Sequence, residues 1–255
     1  MLHDLLILFA GAIGIGFVSA ITGIGGGSLM VPFMVLVLNY DVKAAIAISL
    51  LCIVVTSSSA ASTYLRRGLV NMDIALLLEP ATALGAIIGA HITIMLPAKV
   101  VRGALGLLLL YISITMLRQV FRKSLTKSAS THISFIRRLL GVLLSFLAGL
   151  TSGMFGVGGG VLKVPLMTLV LGLPIKVAVA TSSFMVGLTA ASGGIVYLTR
   201  GLTDPLSVIA LALGIVPGAI LGARCMRKLK PRIVRIIFSS ILLYASIRLL
   251  YSILV

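Results

Sequence analysis

Two glycine-rich segments constrain the fold of this chain more than any other feature. The first reads Thr-Gly-Ile-Gly-Gly-Gly-Ser-Leu-Met-Val-Pro over residues 22–32, and the second reads Phe-Gly-Val-Gly-Gly-Gly-Val-Leu-Lys-Val-Pro over residues 155–165. Both interrupt long apolar runs. Glycine is a poor helix former and adopts backbone angles that other residues avoid, so each segment predicts a helix that stops, turns and restarts.

The composition places these breaks in a lipid bilayer. Of the 255 residues, 60% are hydrophobic and 10% are charged, and the mean hydropathy is +1.24. Apolar runs of about 18 to 25 residues recur, which is the length that crosses a hydrocarbon core of roughly 30 Å. The sequence therefore predicts an all-α, polytopic membrane protein without a soluble domain. Residues 5–22 have no preceding Lys or Arg and no cleavage site, which favours mature protein over a signal sequence.

An internal duplication is predicted. A shift of 133 residues superposes the two halves without a gap, so that Gly23 matches Gly156 and Ser49 matches Ser182. Glycine-interrupted helices at matching places in two halves are typical of a transporter binding site. We expect a first transmembrane repeat, a basic linker and a second transmembrane repeat, with the bounds 1–117, 118–138 and 139–255.

The positive charges indicate the orientation of the halves. The net charge of +16 comes without an aromatic-rich basic platform, so it reports membrane topology rather than a nucleic-acid partner. Four crossings per repeat would distribute the cations almost evenly between the two faces. If each glycine segment is instead the tip of a re-entrant hairpin, followed by three further transmembrane helices, the halves are inverted and one face is strongly basic.

Cytoplasmic loops are enriched in Lys and Arg, which favours the inverted arrangement. It places the linker 118–138 in the cytoplasm and both termini outside, in a multi-pass protein of a bacterial or archaeal inner membrane. Residues 5–22 would form a helix of about 27 Å, which is long for one arm of a hairpin that turns midway. A full crossing by each first segment is therefore the alternative.

The predicted binding site lies where the helices restart. A helix N-terminus presents free N–H groups and a positive dipole end, which suit an anion. The alternative is that the glycines only allow close helix packing. Matched hydroxyl groups on the next segment can replace water around an anion without adding charge. The substrate-binding candidates are Gly25, Gly26, Gly27, Ser28, Ser49, Gly158, Gly159, Gly160, Ser182 and the lysine described next.

Lys163 and Glu79 are charged residues within apolar runs. Lys163 lies three residues after Gly160, where the first half has the neutral Met30. A cation within the bilayer is a functional candidate, and we expect Lys163 to face the substrate. The alternatives are snorkelling to the interface or pairing with Glu79. Glu79 is interpreted as the partner of Lys163, as a carboxylate that couples transport to a proton, or as a helix-end residue before Pro80.

Enzyme chemistry, a cofactor and a metal site are not indicated. Cys52 and Cys225 lie in separate apolar runs without a Cys-x-x-Cys pair, and the three histidines are scattered. No Gly-x-Ser-x-Gly nucleophile sequence is present. No strand precedes Gly23-Ile-Gly25, as a dinucleotide-binding fingerprint would require.

These sequence features resemble those of the TauE/SafE sulfite exporter family, also called TSUP. The resemblance covers nearly the whole chain. It rests on the glycine segment followed by Val-Pro in both halves, on Ala-Val-Ala-Thr-Ser-Ser at 178–183, and on Tyr-x-x-Arg-Gly ending at Gly68 and Gly201. The resemblance implies secondary export, or in some members uptake, of small anions such as sulfite, organosulfonates or carboxylates. It also implies that the triple glycines and Ser182 form the substrate region.

The function expected from these observations is a secondary transporter of a small anion that works by alternating access in the lipid bilayer. A proton is the candidate coupling ion. The first alternative is a passive anion channel, which the same helix ends would serve. The second is an intramembrane enzyme or assembly factor, which would require a polar cluster with a nucleophile.

Overall fold

The computed structural model of the protein describes residues 2–22, 26–121, 134–225 and 231–254, and within these ranges the chain is helical and contains no β-strand. Gly25 and most of the predicted linker lie outside the described residues. The helices are α1 (Leu2–Thr22), α2 (Gly27–Val37), α3 (Val42–Arg66), α4 (Met72–Met95), α5 (Ala98–Phe121), α6 (Phe135–Phe155), α7 (Gly160–Pro165) with a π-helical turn at Leu166–Val170, α8 (Ile175–Thr199), α9 (Pro205–Cys225) and α10 (Pro231–Leu254).

Local sequence signals set the helix ends. The Asp41 carboxylate caps α3 by accepting a hydrogen bond from the Lys43 amide at 2.9 Å. In the second glycine segment, α6 ends at Gly156 with φ +66°, and Gly158 and Gly159 follow with φ +82° and +68°. These left-handed angles are accessible to glycine without strain, so this apolar run is broken at its glycines, as the sequence predicts.

The length and surface of the helices fit a lipid environment. Five of the described helices, namely α3, α4, α5, α6 and α8, are long and apolar enough to cross a membrane. Large apolar side chains face outward along them, for example Leu76 (67% exposed) and Leu107 (60% exposed). An outer surface of this kind is stable in hydrocarbon but not in water. The chain is a multi-pass α-helical membrane protein.

Helices α3 and α8, which occupy equivalent positions in the two halves, run in opposite directions. Near the middle of α3, Leu50 lies against Gly194 of α8. Two turns further along α3, Ser57 lies against Gly187, which is earlier in α8. Residue numbers thus rise along one helix as they fall along the other, so the two helices are antiparallel.

The equivalent helices α5 and α10 are also antiparallel. Gly106, early in α5, lies against Leu250 near the end of α10. Later in α5, the Ser113 hydroxyl donates to the backbone carbonyl of Ser239, early in α10, at 2.9 Å. Both pairs of equivalent helices therefore pack with reversed direction.

The first helix of each half packs in parallel along the fourth helix of the other half. In α6, Gly149 and Gly153 contact the backbone of Thr82 and Ala86 in α4. In α9, Gly214 and Gly218 contact the backbone of Phe9 and Ile13 in α1 in the same way. Small residues at these places let the helix backbones touch, which is the usual packing of transmembrane helices. Each half thus contributes one helix to a close backbone contact with the other half, α6 on α4 and α1 on α9.

The second glycine segment reverses the chain. Helix α8 is parallel to α4, because Thr181 accepts from the Asn71 amide and Thr189 contacts Glu79. Since α6 is parallel to α4 as well, α6 and α8 run in the same direction. Gly153 near the end of α6 lies level with Gly193 near the end of α8. The chain must therefore travel back about 27 Å before α8 starts, which residues 156–174 do.

The hairpin differs from the predicted one in the length of its arms. Helix α6 has 21 residues and is itself long enough to cross a membrane. The returning arm, α7 with the π-helical turn, is an apolar stretch of shorter length, Gly160–Val170. A long first segment, such as residues 5–22, is thus compatible with a reversal at the glycines, because the first arm of such a hairpin can be longer than the returning arm.

We predict that Gly153→Ala destabilises the protein by about 1–3 kcal/mol. A methyl group at this position would overlap the carbonyl oxygen of Ala86 and force α4 and α6 apart. Gly14→Ala in α1 is the matched control, because no atom lies within 4 Å of its added methyl group. Denaturant unfolding in detergent should show a loss of stability for Gly153→Ala alone. Equal stability of the two variants would contradict the close contact between α4 and α6.

Candidate functional site

The two glycine segments, far apart in sequence, lie in contact inside the protein. A side chain on Gly27 would overlap the carbonyl oxygen of Gly156 and would lie 3.1 Å from the backbone of Val157. The Ser49 hydroxyl donates to the same Gly156 carbonyl at 2.8 Å. All four residues are buried. The contact between the start of α2 and the loop before α7 is called the glycine junction below.

The glycine junction lies near the middle of the longest helices. A side chain on Gly158 would lie 3.2 Å from Ile53 of α3 and 3.2 Å from Val186 of α8. Ile53 also lies against Gly27. Both aliphatic residues are close to the centres of helices that are long enough to span a membrane. The junction is therefore bordered by apolar side chains near the centres of α3 and α8.

The loop before α7 carries backbone amides without acceptors. The amides of Val157, Gly158 and Gly159 have no hydrogen-bond partner within the described ranges. The carbonyl of Gly159 accepts from the Leu162 and Lys163 amides at 3.1 and 3.0 Å, which starts α7. Because this loop is buried, its unpaired N–H groups are the kind of donors that bind an anion or an ordered water.

Two buried serine hydroxyls near the glycine segments also lack partners among the described residues. They belong to Ser28 in α2, which is fully buried, and to Ser152 in α6, which is 1% exposed. Ser152 lies next to the loop, because its Cβ atom would be 3.3 Å from a Cβ atom added at Gly159. A buried polar atom without a partner costs about 1–3 kcal/mol, so such atoms mark sites for a polar ligand or water.

Ser28 was among the residues selected from the sequence, but Ser152 was not. The duplication contains the signal that points to it, because Ser152 matches Ser19 four residues before the first glycine of each segment. Four residues are one helical turn, so this serine faces the same side as the start of the loop.

Lys163 lies in a buried polar cluster with Glu79 and Thr189. Its Nζ atom is 2.6 Å from Thr189 Oγ1 and 3.3 Å from Glu79 Oε2. The Thr189 hydroxyl is 2.7 Å from the other carboxylate oxygen, Glu79 Oε1. Lys163 is fully buried and Glu79 is 8% exposed. The three side chains, from α7, α4 and α8, are called the charged triad below.

The charged triad decides between the interpretations of its two charged residues. Snorkelling of Lys163 is wrong, since the side chain has no exposed surface. The helix-end interpretation of Glu79 is also wrong, because α4 continues through Pro80 to Met95. The ion pair is present. The duplication does not repeat this ion pair, because Met30 matches Lys163 and Ala212 matches Glu79.

The remaining predicted residues are distributed as follows. Gly26 caps α2, and Ser182 on α8 is buried, at 2% exposure. Gly25 lies outside the described residues. The Ser49 hydroxyl is engaged by the Gly156 carbonyl and links α3 to the loop. The structure thus brings Gly27, Ser49 and the second loop together, and it places Lys163, one member of the charged triad, on the helix that follows that loop.

Comparison with known proteins identifies the family. The family model described as "Sulfite exporter TauE/SafE" matches residues 8–249, which include both glycine segments and the charged triad. The chain belongs to the TauE/SafE sulfite exporter family. No solved structure matches this TauE/SafE protein.

Named relatives of this TauE/SafE protein are similar along most of its length. "Probable membrane transporter protein YunE" of Bacillus subtilis (strain 168) is 28% identical, with 93% of this chain and 94% of YunE aligned. "Probable membrane transporter protein YdhB" of the same organism is 29% identical, with 90% and 91% aligned. "Sulfite exporter TauE/SafE family protein 6" of Arabidopsis thaliana is 26% identical over 73% of this chain and 65% of the plant protein.

We predict that removing one charge of the triad destabilises this TauE/SafE protein more than removing both. Lys163→Met leaves the Glu79 carboxylate buried without its cation, which should cost about 3–5 kcal/mol of unfolding free energy. The double variant Lys163→Met/Glu79→Gln has no buried charge and should recover most of this loss. Unfolding of both variants in detergent measures the difference. A strictly additive loss would contradict direct coupling of the two side chains.

Proposed function

We propose that this TauE/SafE protein is a secondary transporter that exports a small anion, such as sulfite, an organosulfonate or a related sulfur-containing or carboxylate anion. The observation that carries the proposal is the set of buried donors without acceptors at the glycine junction. Among the described residues, these donors are three backbone amides of the loop before α7 and the hydroxyls of Ser28, next to Gly27, and Ser152, next to Gly159. A small oxyanion has the several acceptor oxygens that such donors need.

We further propose that transport proceeds by alternating access between two inverted halves. The antiparallel packing of α3 with α8 and of α5 with α10 supports this arrangement. Repeats related by an axis along the membrane normal would give equivalent helices the same direction, whereas inverted repeats give them opposite directions. The basic composition of residues 118–138 supports a cytoplasmic linker.

The proposed substrate region consists of the residues selected from the sequence together with Ser152. Gly25 to Gly27, Ser28, and Gly158 to Gly160 would surround the anion with backbone and hydroxyl donors. Ser182 and Ser49 would border it from α8 and α3. An environment of such dipoles replaces the hydration of an anion.

Lys163 and Glu79 are proposed to couple the anion to a proton. In the described state the Glu79 carboxylate neutralises the Lys163 ammonium at 3.3 Å. An anion and the carboxylate compete for the same cation. Protonation of Glu79 would leave Lys163 without a counter-charge, so binding of a proton and binding of an anion favour each other by linkage.

We predict that Lys163→Met lowers saturable sulfite flux in proteoliposomes at least about tenfold, the effect of losing roughly 1.4 kcal/mol of binding. Methionine is the residue that the duplication places at the matching position 30. Lys176→Met is the control, because Lys176 is exposed at the start of α8. Equal flux in both variants would remove Lys163 from the site. Flux of wild-type protein that never saturates would favour a passive channel.

We predict that acidification of the side from which the anion enters stimulates wild-type flux and not flux through Glu79→Gln. The amide mimics a protonated carboxyl group, so it leaves Lys163 permanently without a counter-charge and removes the proton dependence. Flux of the anion against external pH in proteoliposomes, measured for both proteins, provides the comparison. A Glu79→Gln variant with the same pH profile as wild type would exclude Glu79 as the coupling group.

A further inference from the structure

A groove with a volume of about 310 Å³ lies between α1, α2 and α10. Its lining is almost entirely apolar and includes Gly11 and Gly14 on α1, Phe33 and Val37 on α2, and Tyr244 on α10. Val37 is 56% exposed and Tyr244 is 62% exposed, so the groove opens on the outer surface of the protein. In a membrane this surface faces lipid.

Two of the glycines that line the groove match leucines in the second half. The duplication places Leu144 and Leu147 at the positions of Gly11 and Gly14. Both leucines project from α6 with substantial exposure. At Gly14 there is no atom within 4 Å of an added side chain, whereas the ring of Phe33 lies against Gly11. Only Gly14 therefore leaves open space that a larger residue could fill without a clash.

A cation stands at the rim of this groove. The Arg248 Nε donates to the Tyr244 hydroxyl at 3.2 Å, and the guanidinium carbon lies 5.9 Å from the centre of the Tyr244 ring. Arg248 is exposed one helical turn after Tyr244. The matching residue in the first half is Thr115, so the duplication does not repeat this cation.

The chain has few groups that could neutralise Arg248. It contains 5 acidic residues against 21 Lys and Arg, and no carboxylate within the described part of the chain forms an ion pair with Arg248. A cation on a lipid-facing helix is costly unless it reaches the interface or meets an anion. The guanidinium group pairs well with phosphate, which it can bind through two parallel hydrogen bonds.

We propose that this groove binds one acyl chain of an anionic phospholipid, with its phosphate held by Arg248. A phospholipid joins the two chemistries that the site presents, an apolar chain for the groove and an anion for the guanidinium group. An anionic head group has no cation of its own to compete with Arg248, so phosphatidylglycerol should bind better than phosphatidylcholine. The site is independent of the proposed transport function.

The test is a titration of the purified, delipidated full chain with each of these two lipids, followed by native mass spectrometry. Wild-type protein should prefer phosphatidylglycerol about fivefold, as expected for one cation near an anionic head group. Arg248→Thr, which introduces the residue of the other half, should abolish the preference. Gly14→Leu should lower binding of both lipids. Arg248→Lys and Gly14→Ala are the controls, because they keep the charge and most of the open space.

Binding of phosphatidylglycerol that is equal in wild type, Arg248→Thr and Gly14→Leu would overturn the proposal. So would a dimer that forms in delipidated wild-type protein and disappears in Gly14→Leu, because the groove would then hold a second copy of the chain. Arg248→Thr alters only an exposed side chain, so the head-group comparison stands on this variant alone if Gly14→Leu fails to fold.

Discussion

A backbone amide in the hydrocarbon of a membrane has no water to bind, so an unpaired amide is tolerated only where protein buries it or where it lines a polar cavity. The constraint applies to both helix breaks of this protein, and the two breaks are in contact at the glycine junction. Gly27 touches the backbone of Gly156 and Val157, and Ser49 donates to the Gly156 carbonyl. Contact between the two breaks hides each of them from lipid. The long helices α3 and α8 then enclose the junction with Ile53 and Val186.

The charged triad depends on the same break. Because the second segment reverses the chain, α7 returns beside α8 and carries Lys163 to Thr189 and Glu79. A straight continuation of α6 would point this lysine to a different depth and away from α4. The parallel packing of α4 with α6 and α8, through small residues such as Gly149 and Gly153, brings Glu79 to the same level. The polar interior therefore follows from the reversal together with close backbone packing.

Local sequence patterns predict much of this arrangement. Apolar length predicts the helices, the glycines predict where the second run is broken, and the scarcity of acids points to Glu79 as the partner of Lys163. Thr189 could not be selected in this way, and Ser152 was indicated only by its match to Ser19 in the duplication. Hydroxyl groups occur throughout the apolar runs, and which of them meets a charge or a loop depends on packing between segments about a hundred residues apart. The length of the first segment left open whether it is one arm of a hairpin or a full crossing, since a pattern of apolar residues does not reveal where a helix lies relative to its neighbours.

The duplication matches the two halves in register but not in charge, since the ion pair of Lys163 and Glu79 has Met30 and Ala212 at the matching positions. Two inverted halves with identical interiors would make inward-facing and outward-facing forms mirror images of equal energy. In the proposed alternating-access cycle, the exchange of roles between halves would carry an ion pair into a different environment, so the two forms would differ in energy. Under the proposed alternating access, this pair of residues would bias the resting population toward one side of the membrane.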